Sequence, residues 1–150
     1  MESEISQSRQ IVPASRLWWV IMLAIFLATA ANVVLFFVLT DVLGSPLHFP
    51  TQFPPPELAP LSVSEVVLFS VIFSVGASFV FVLVGNFSKR PARTFLIISL
   101  VVLALSTALP LKIPSPPVAM ASKLGLIAMH IIGAIVVVGT LILLGSRRDQ

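Results

Sequence analysis

Four long stretches without a charged residue dominate the pattern of hydrophobic and polar positions along the chain. They cover residues 17–40, 66–88, 94–111 and 124–146, which are 24, 23, 18 and 23 residues long. Because a helix rises about 1.5 Å per residue, the shortest stretch spans about 27 Å and the longest about 36 Å, against a hydrocarbon core of about 30 Å. Each stretch therefore predicts a membrane span, the third one with help from its flanking residues.

The stretches are rich in Val, Ile and Phe, which favour strands in water. The prediction of helices therefore does not rest on residue propensity. A lipid-exposed segment must satisfy its peptide groups internally, and continuous apolar sequence without alternation fits a helix rather than a barrel strand. The sequence predicts an all-α, polytopic membrane protein, a bundle of four transmembrane helices within residues 17–146. We expect the helices at about 17–43, 64–88, 92–111 and 117–145, between tails at 1–16 and 147–150.

Several residues at the ends of the stretches are typical helix boundaries. Ser62 and Glu65 are spaced as a capping box, and Pro91 is placed to open the third helix. Gly44 and Gly145 follow the first and fourth stretches, where a left-handed C-cap is expected.

The composition agrees with a membrane location. Hydrophobic residues make up 57% of the chain and charged residues 10%, and the mean hydropathy is +1.08, which no water-soluble fold could cover. The chain has no cysteine, which excludes disulfides, thiol redox chemistry and thiolate metal sites.

The distribution of basic residues predicts the orientation. Seven lie on one side of the predicted spans and two, Lys112 and Lys123, on the other. By the positive-inside rule, both termini are expected in the cytoplasm. The seven are Arg9, Arg16, Lys89, Arg90, Arg93, Arg147 and Arg148.

An alternative interpretation of the N-terminus is a cleaved signal peptide. Arg9 and Arg16, the apolar residues from Leu17 and the small triplet at 28–30 imitate one. Apolar sequence continues from Val33, which a spanning helix requires and a signal peptide does not. The pattern favours the span.

The predicted outer loop, residues 44–61, contains six prolines with His48, Phe49 and Phe53 between them. It predicts polyproline II structure or turns. Such a loop could dock a partner, but a semi-rigid spacer lying on the lipid headgroups is favoured.

Asp, Glu, Lys and Arg are absent from the four stretches, which argues against a pump or an ion-coupled transporter. Asn32 and His130 remain, about 5 Å and 7 Å from the bilayer centre toward the outer face. Ser74 and Ser106 fall near the same depth. These four residues form a candidate polar tier, within which a hydrogen bond between Asn32 and His130 is feasible.

Two interpretations of the tier compete. In the favoured one, the side chains join the helices, each contact contributing about 0.6 kcal/mol. In the other, they line a water-accessible pocket in which His130 changes charge near neutral pH.

Small residues recur at helical spacing in two of the stretches. They are Ser70, Ser74 and Ser78 in the second, and Gly125 and Gly133 in the fourth. They favour close helix packing over a pore lining.

The whole chain resembles a family of small bacterial membrane proteins catalogued as a domain of unknown function. The resemblance is carried by Arg16–Trp19, Asn32, the proline-containing loop, Arg93-Thr94-Phe95 and Met129-His130. It implies a four-helix fold in a bacterial inner membrane and no established activity.

The sequence favours a non-enzymatic structural or accessory bundle, in the bilayer as a homo-oligomer or with a membrane partner protein. The alternative is a small transport or ligand-binding protein that uses the polar tier around Asn32 and His130. No phosphate loop, zinc spacing or nucleophile elbow occurs, so no catalytic, cofactor, metal or nucleic-acid site is predicted.

Overall fold

The computed structural model describes residues 13–50, 58–112 and 120–146. Four long helices form in these residues, all long and apolar enough to cross a membrane. They are α1, Ala14–Phe37, which continues as a π-helix, Val38–Val42; α2, Val63–Phe87; α3, Pro91–Lys112; and α4, Met120–Gly145. The predicted all-α membrane fold is confirmed. The predicted start of the fourth helix at 117 and most of the predicted tails lie outside the described residues.

Three of the predicted helix ends are present. Ser62 and Glu65 form the capping box: the Glu65 N–H donates to Ser62 Oγ at 3.4 Å, and the Ser62 N–H donates to Glu65 Oε2 at 2.7 Å. Pro91 is the first residue of α3, where its missing N–H costs no helical bond. Gly44 has a φ of +61°, and beyond it the Ser45 N–H donates to the Leu39 carbonyl at 2.9 Å.

The prediction of a left-handed cap at Gly145 is wrong. Gly145 is the last residue of α4, and Gly44 has the only positive φ among the described residues. Close packing explains the glycine instead, because a Cβ atom there would lie 2.9 Å from Cε1 of Phe81.

The helices run alternately up and down. α1 packs mainly against α4 and α2, and α3 completes the ring by contacting the same two helices. We call the end at which Leu17, Phe81 and Gly145 meet the terminal end. The opposite end, which carries residues 43–50 and 58–62, is the hairpin end.

Three helices meet through rows of residues spaced by four. On α1 the row includes Ala24, Ala28, Asn32 and Phe36; on α2, Val66, Ser70, Ser74 and Ser78; on α4, Gly125, Met129, Gly133, Val137 and Leu141. Most of these side chains are buried, and many are small, so the helix backbones approach closely. The burial of the three serines agrees with the packing interpretation of their spacing.

Two apolar clusters fill the bundle. The larger one, toward the terminal end, centres on Ala24, Ala28, Val137, Leu141 and the edge-to-face pair of Phe81 and Phe95. The smaller one, toward the hairpin end, consists of Phe36, Leu47, Val66 and Met129. Asn32 lies between them, one helical turn from both Ala28 and Phe36.

The proline-rich loop contains a feature that the sequence did not suggest. Strand β1, His48–Pro50, pairs antiparallel with β2, Leu58–Pro60, with Phe49 opposite Ala59. The Leu61 N–H extends the pairing by donating to the Leu47 carbonyl at 2.8 Å. The loop residues 51–57 lie outside the described part of the chain.

Candidate functional site

The centre of the bundle contains a polar contact between α1 and α2. Nδ2 of Asn32 donates to Ser70 Oγ at 3.0 Å, and both side chains are buried. The neighbouring position on α4 is Gly133, where a Cβ atom would lie 3.0 Å from that same nitrogen. We call Asn32, Ser70 and Gly133 the polar node. It joins three helices at one level.

The polar node leaves one acceptor unused. Asn32 is 8% exposed, and its Oδ1 has no hydrogen-bond partner among the described residues. The hydroxyl of Thr29, three residues earlier on α1, is likewise buried without a described partner. Unsatisfied polar atoms are costly inside a bundle, and these two atoms keep an unused hydrogen-bonding capacity there.

His130 makes its contacts away from the polar node. Its Nδ1 lies 2.7 Å from the Leu126 carbonyl of the preceding turn, and its ring centre lies 6.2 Å from that of Phe73 on α2. Since a carbonyl can only accept, Nδ1 carries the hydrogen. The hydrogen bond between Asn32 and His130 that the sequence made feasible is not formed. Asn32 bonds to Ser70 instead, and His130 to the Leu126 carbonyl.

Neither of the two remaining tier residues bonds to Asn32 or His130 in the described contacts. Ser74 is buried, and its carbonyl accepts a hydrogen bond from Ser78 Oγ at 2.8 Å. Ser106 is half-buried and donates to the Leu103 carbonyl of its own helix at 2.9 Å. The described contacts link none of the four predicted tier residues to another, although all four lie in the helices as expected.

The hairpin end holds a second cluster of contacts, which sequence reasoning missed. Leu47 is 1% exposed and packs on Gly125, where a Cβ atom would lie 2.6 Å from Leu47 Cδ2. Next to it, the His48 N–H donates to Ser122 Oγ at 2.8 Å. The loop is therefore fastened to α4 around residues 47–48, which differs from the favoured picture of a spacer on the headgroups.

Lys123 lies in the first turns of α4, within the range predicted for the fourth helix. It is only 4% exposed and follows Ser122, the residue that holds the hairpin. The sequence identifies Gly125 as a small packing residue, but nothing in it marks Leu47, one of three leucines in the proline-rich loop, as the residue that packs on it.

The chemistry available to this arrangement is limited. Within residues 13–50, 58–112 and 120–146, no three His, Cys, Asp or Glu side chains lie close enough to hold a metal ion. The polar node offers neutral hydrogen-bonding groups, and His130 is the single titratable side chain within the middle of the described spans. Such a site can hold helices together or bind a small polar group.

A comparison with protein-family models decides the affiliation of the chain. Residues 12–147 match the model of a family of unknown function, DUF6069. The chain belongs to this family. The match covers all four helices of this DUF6069 protein, and the resemblance inferred from its sequence motifs is confirmed at the level of a four-helix family without assigned function. A bacterial origin stays a prediction.

No curated protein and no solved structure matches the chain. The four apolar helices make this DUF6069 protein a multi-pass membrane protein, and its role is argued below from its own side chains.

Proposed function

We propose that this DUF6069 protein is a non-enzymatic accessory or structural component of the membrane, which associates with itself or with another membrane protein. The observation that carries the proposal is that three of its intramembrane polar side chains form hydrogen bonds within the bundle. Asn32 bonds to Ser70 across helices, while His130 and Ser106 bond to carbonyls of their own helices. These are the contacts of a packed bundle.

The outer surface of α3 is available for association. Pro91, Phe95 and Pro110 are its buried side chains among those described, whereas Ile97, Val101 and Leu105 are exposed. An apolar helix face of this kind can contact lipid or a neighbouring helix equally well. A partner protein would bury this face without rearranging the bundle.

We further propose that the terminal end faces the cytoplasm of a bacterial cell. Four of the described basic residues, Arg16, Lys89, Arg90 and Arg93, lie at this end, and two, Lys112 and Lys123, lie at the hairpin end. The excess of basic residues at the terminal end follows the positive-inside rule.

A second candidate is a ligand-binding or transport function centred on the polar node. It is favoured by the buried Oδ1 of Asn32 and the buried hydroxyl of Thr29, neither of which has a described partner. Under this hypothesis, a ligand with hydrogen-bond donors enters from the hairpin end and contacts both atoms.

Because the chain has no cysteine, single cysteines can separate the two candidates. Asn32, Ser74, Ser106 and His130 are each replaced by Cys, and intact cells are treated with a membrane-impermeant thiol reagent. A packed bundle predicts protection of all four. Strong labelling at residues 32 and 74 contradicts the accessory proposal and supports the water-filled site.

The controls use exposed positions at the two ends and one facing lipid. Asp41→Cys should react from outside and Lys89→Cys should not, which tests the orientation. Val34→Cys, which is exposed in the apolar part of α1, should stay unlabelled and shows that lipid alone protects. Association is measured separately by the mass of the purified protein in nanodiscs; a strictly monomeric protein that captures no membrane partner argues against the accessory role.

A further inference from the structure

A groove runs between α1 and α2 in the terminal half of the bundle. Its volume is about 270 Å³, it is open along one side, and its lining residues are Ile21, Val75, Ser78, Phe79 and Val82. The one hydroxyl among them, that of Ser78, donates to the Ser74 carbonyl at 2.8 Å. The wall that remains is therefore apolar.

The rows of residues that form the groove lead to polar groups at the terminal end. Three residues before Ile21 on α1 is Trp18, and four residues after Val82 on α2 is Asn86. Residues three or four apart lie on the same face of a helix, so Trp18 and Asn86 continue the two walls toward the membrane interface. Both are exposed, and Trp18 stacks on Trp19 with a ring-centre distance of 4.1 Å.

The charged residues that the structure describes at the terminal end of the bundle are all basic. Arg16 lies two residues before Trp18, and Lys89 and Arg90 follow Asn86, all three exposed. The acidic residues that the structure describes, Asp41 and Glu65, are both at the opposite end of the bundle.

We propose that this groove binds one acyl chain of an anionic phospholipid, whose phosphate headgroup lies against Trp18, Asn86 and the neighbouring cations. Tryptophan prefers the headgroup level, the Asn86 amide can donate to phosphate oxygens, and each nearby Lys or Arg strengthens binding to an anionic surface about fivefold. The site goes beyond the proposed accessory function and does not depend on it.

The test uses the two tryptophans of the chain, which are Trp18 and Trp19. A Trp19→Phe variant of the full chain, with Trp18 as its single tryptophan, is placed in phosphatidylcholine nanodiscs. Brominated phosphatidylglycerol or brominated phosphatidylcholine is added at the same mole fraction, and quenching of Trp18 is compared. We expect clearly stronger quenching by the brominated phosphatidylglycerol; equal quenching overturns the proposal.

Three further variants separate the groove from general attraction to the surface. Arg16→Gln should lower the preference for phosphatidylglycerol about fivefold. Val82→Phe fills the groove and should abolish most of the preference, whereas Val101→Phe on exposed α3 should not change it. A preference that survives Val82→Phe means that the headgroup is attracted without the groove, and the proposed site is wrong. Because Val82→Phe could perturb folding, its helix content is checked, and the number of bound lipids is counted independently by native mass spectrometry.

Discussion

The side-chain nitrogen of Asn32 lies 3.0 Å from the position that a Cβ atom of residue 133 would occupy. Glycine at 133 thus provides the space in which the amide of α1 reaches Ser70 on α2. Replacing Gly133 with Ala should force the buried amide to shift and weaken its hydrogen bond. We expect a loss of about 1–3 kcal/mol in the free energy of unfolding, the usual range for overpacking. Reversible unfolding in mixed micelles measures it.

Gly139 on the same helix provides the matched control. A Cβ atom there would meet no described atom within 4 Å. Gly139→Ala should therefore be neutral or slightly stabilising, since alanine favours helix. If both variants lose equal stability, the close approach of Asn32 to Gly133 is not the cause.

The hydrogen bond between Asn32 and Ser70 can be measured with a double-mutant cycle. We expect Asn32→Ala and Ser70→Ala to be non-additive, with a coupling free energy of about 0.6 kcal/mol, typical of such bonds between membrane helices. A cycle between Asn32→Ala and His130→Ala serves as the control, because the structure gives His130 a different partner. Coupling to His130 as large as that to Ser70 would contradict the described geometry.

The contact between Leu47 and Gly125 predicts a compensating pair of changes. Gly125→Ala places a methyl group 2.6 Å from Leu47 Cδ2 and should release the loop from α4. Leu47→Val shortens the opposing side chain and should restore part of the lost stability in the double variant. The accessibility of a cysteine at position 48 to thiol reagents reports whether the loop is packed against α4. If the double variant recovers no stability, Leu47 and Gly125 are not coupled.

The capping box at the start of α2 predicts a smaller effect. Ser62→Ala removes the acceptor for the Glu65 N–H and the hydroxyl that donates to Glu65 Oε2 at 2.7 Å. We expect a loss of about 1 kcal/mol in the free energy of unfolding. Because Ser64 Oγ lies 2.9 Å from Ser62 Oγ, the control is Ser15→Ala, at an exposed position in the first turn of α1. Hydrogen exchange at the first turn of α2 should rise only in the Ser62 variant.

The sequence predicts the membrane spans of this protein well, because a helix that crosses lipid must be long, apolar and free of charge. Length, absence of charge, Pro91 and the capping box are local properties, and each has its counterpart in the structure. Gly145 shows the limit of such local rules. A glycine near a helix end suits either a left-handed cap or a close approach, and only the position of Phe81 decides between them.

Contacts between helices depend on rotations that one sequence does not contain. Residue depth placed Asn32 and His130 near the same level, but depth does not say which way a side chain points around its helix. In the bundle, Asn32 faces Ser70 and Gly133, while His130 lies beside Phe73. The packing of Leu47 on α4 could not be predicted for a similar reason, because it depends on Gly125, which lies 78 positions further along the chain.

That separation sets an order of events during synthesis. Leu47 and His48 enter the membrane region with the first pair of helices, but Gly125 and Ser122, which hold them, emerge only with the last. The loop can therefore pack against α4 only after α4 has been inserted. The formation of this contact marks the completion of assembly. A cysteine at Leu47 should react with thiol reagents in nascent chains arrested after Lys112 and become protected in the full-length protein.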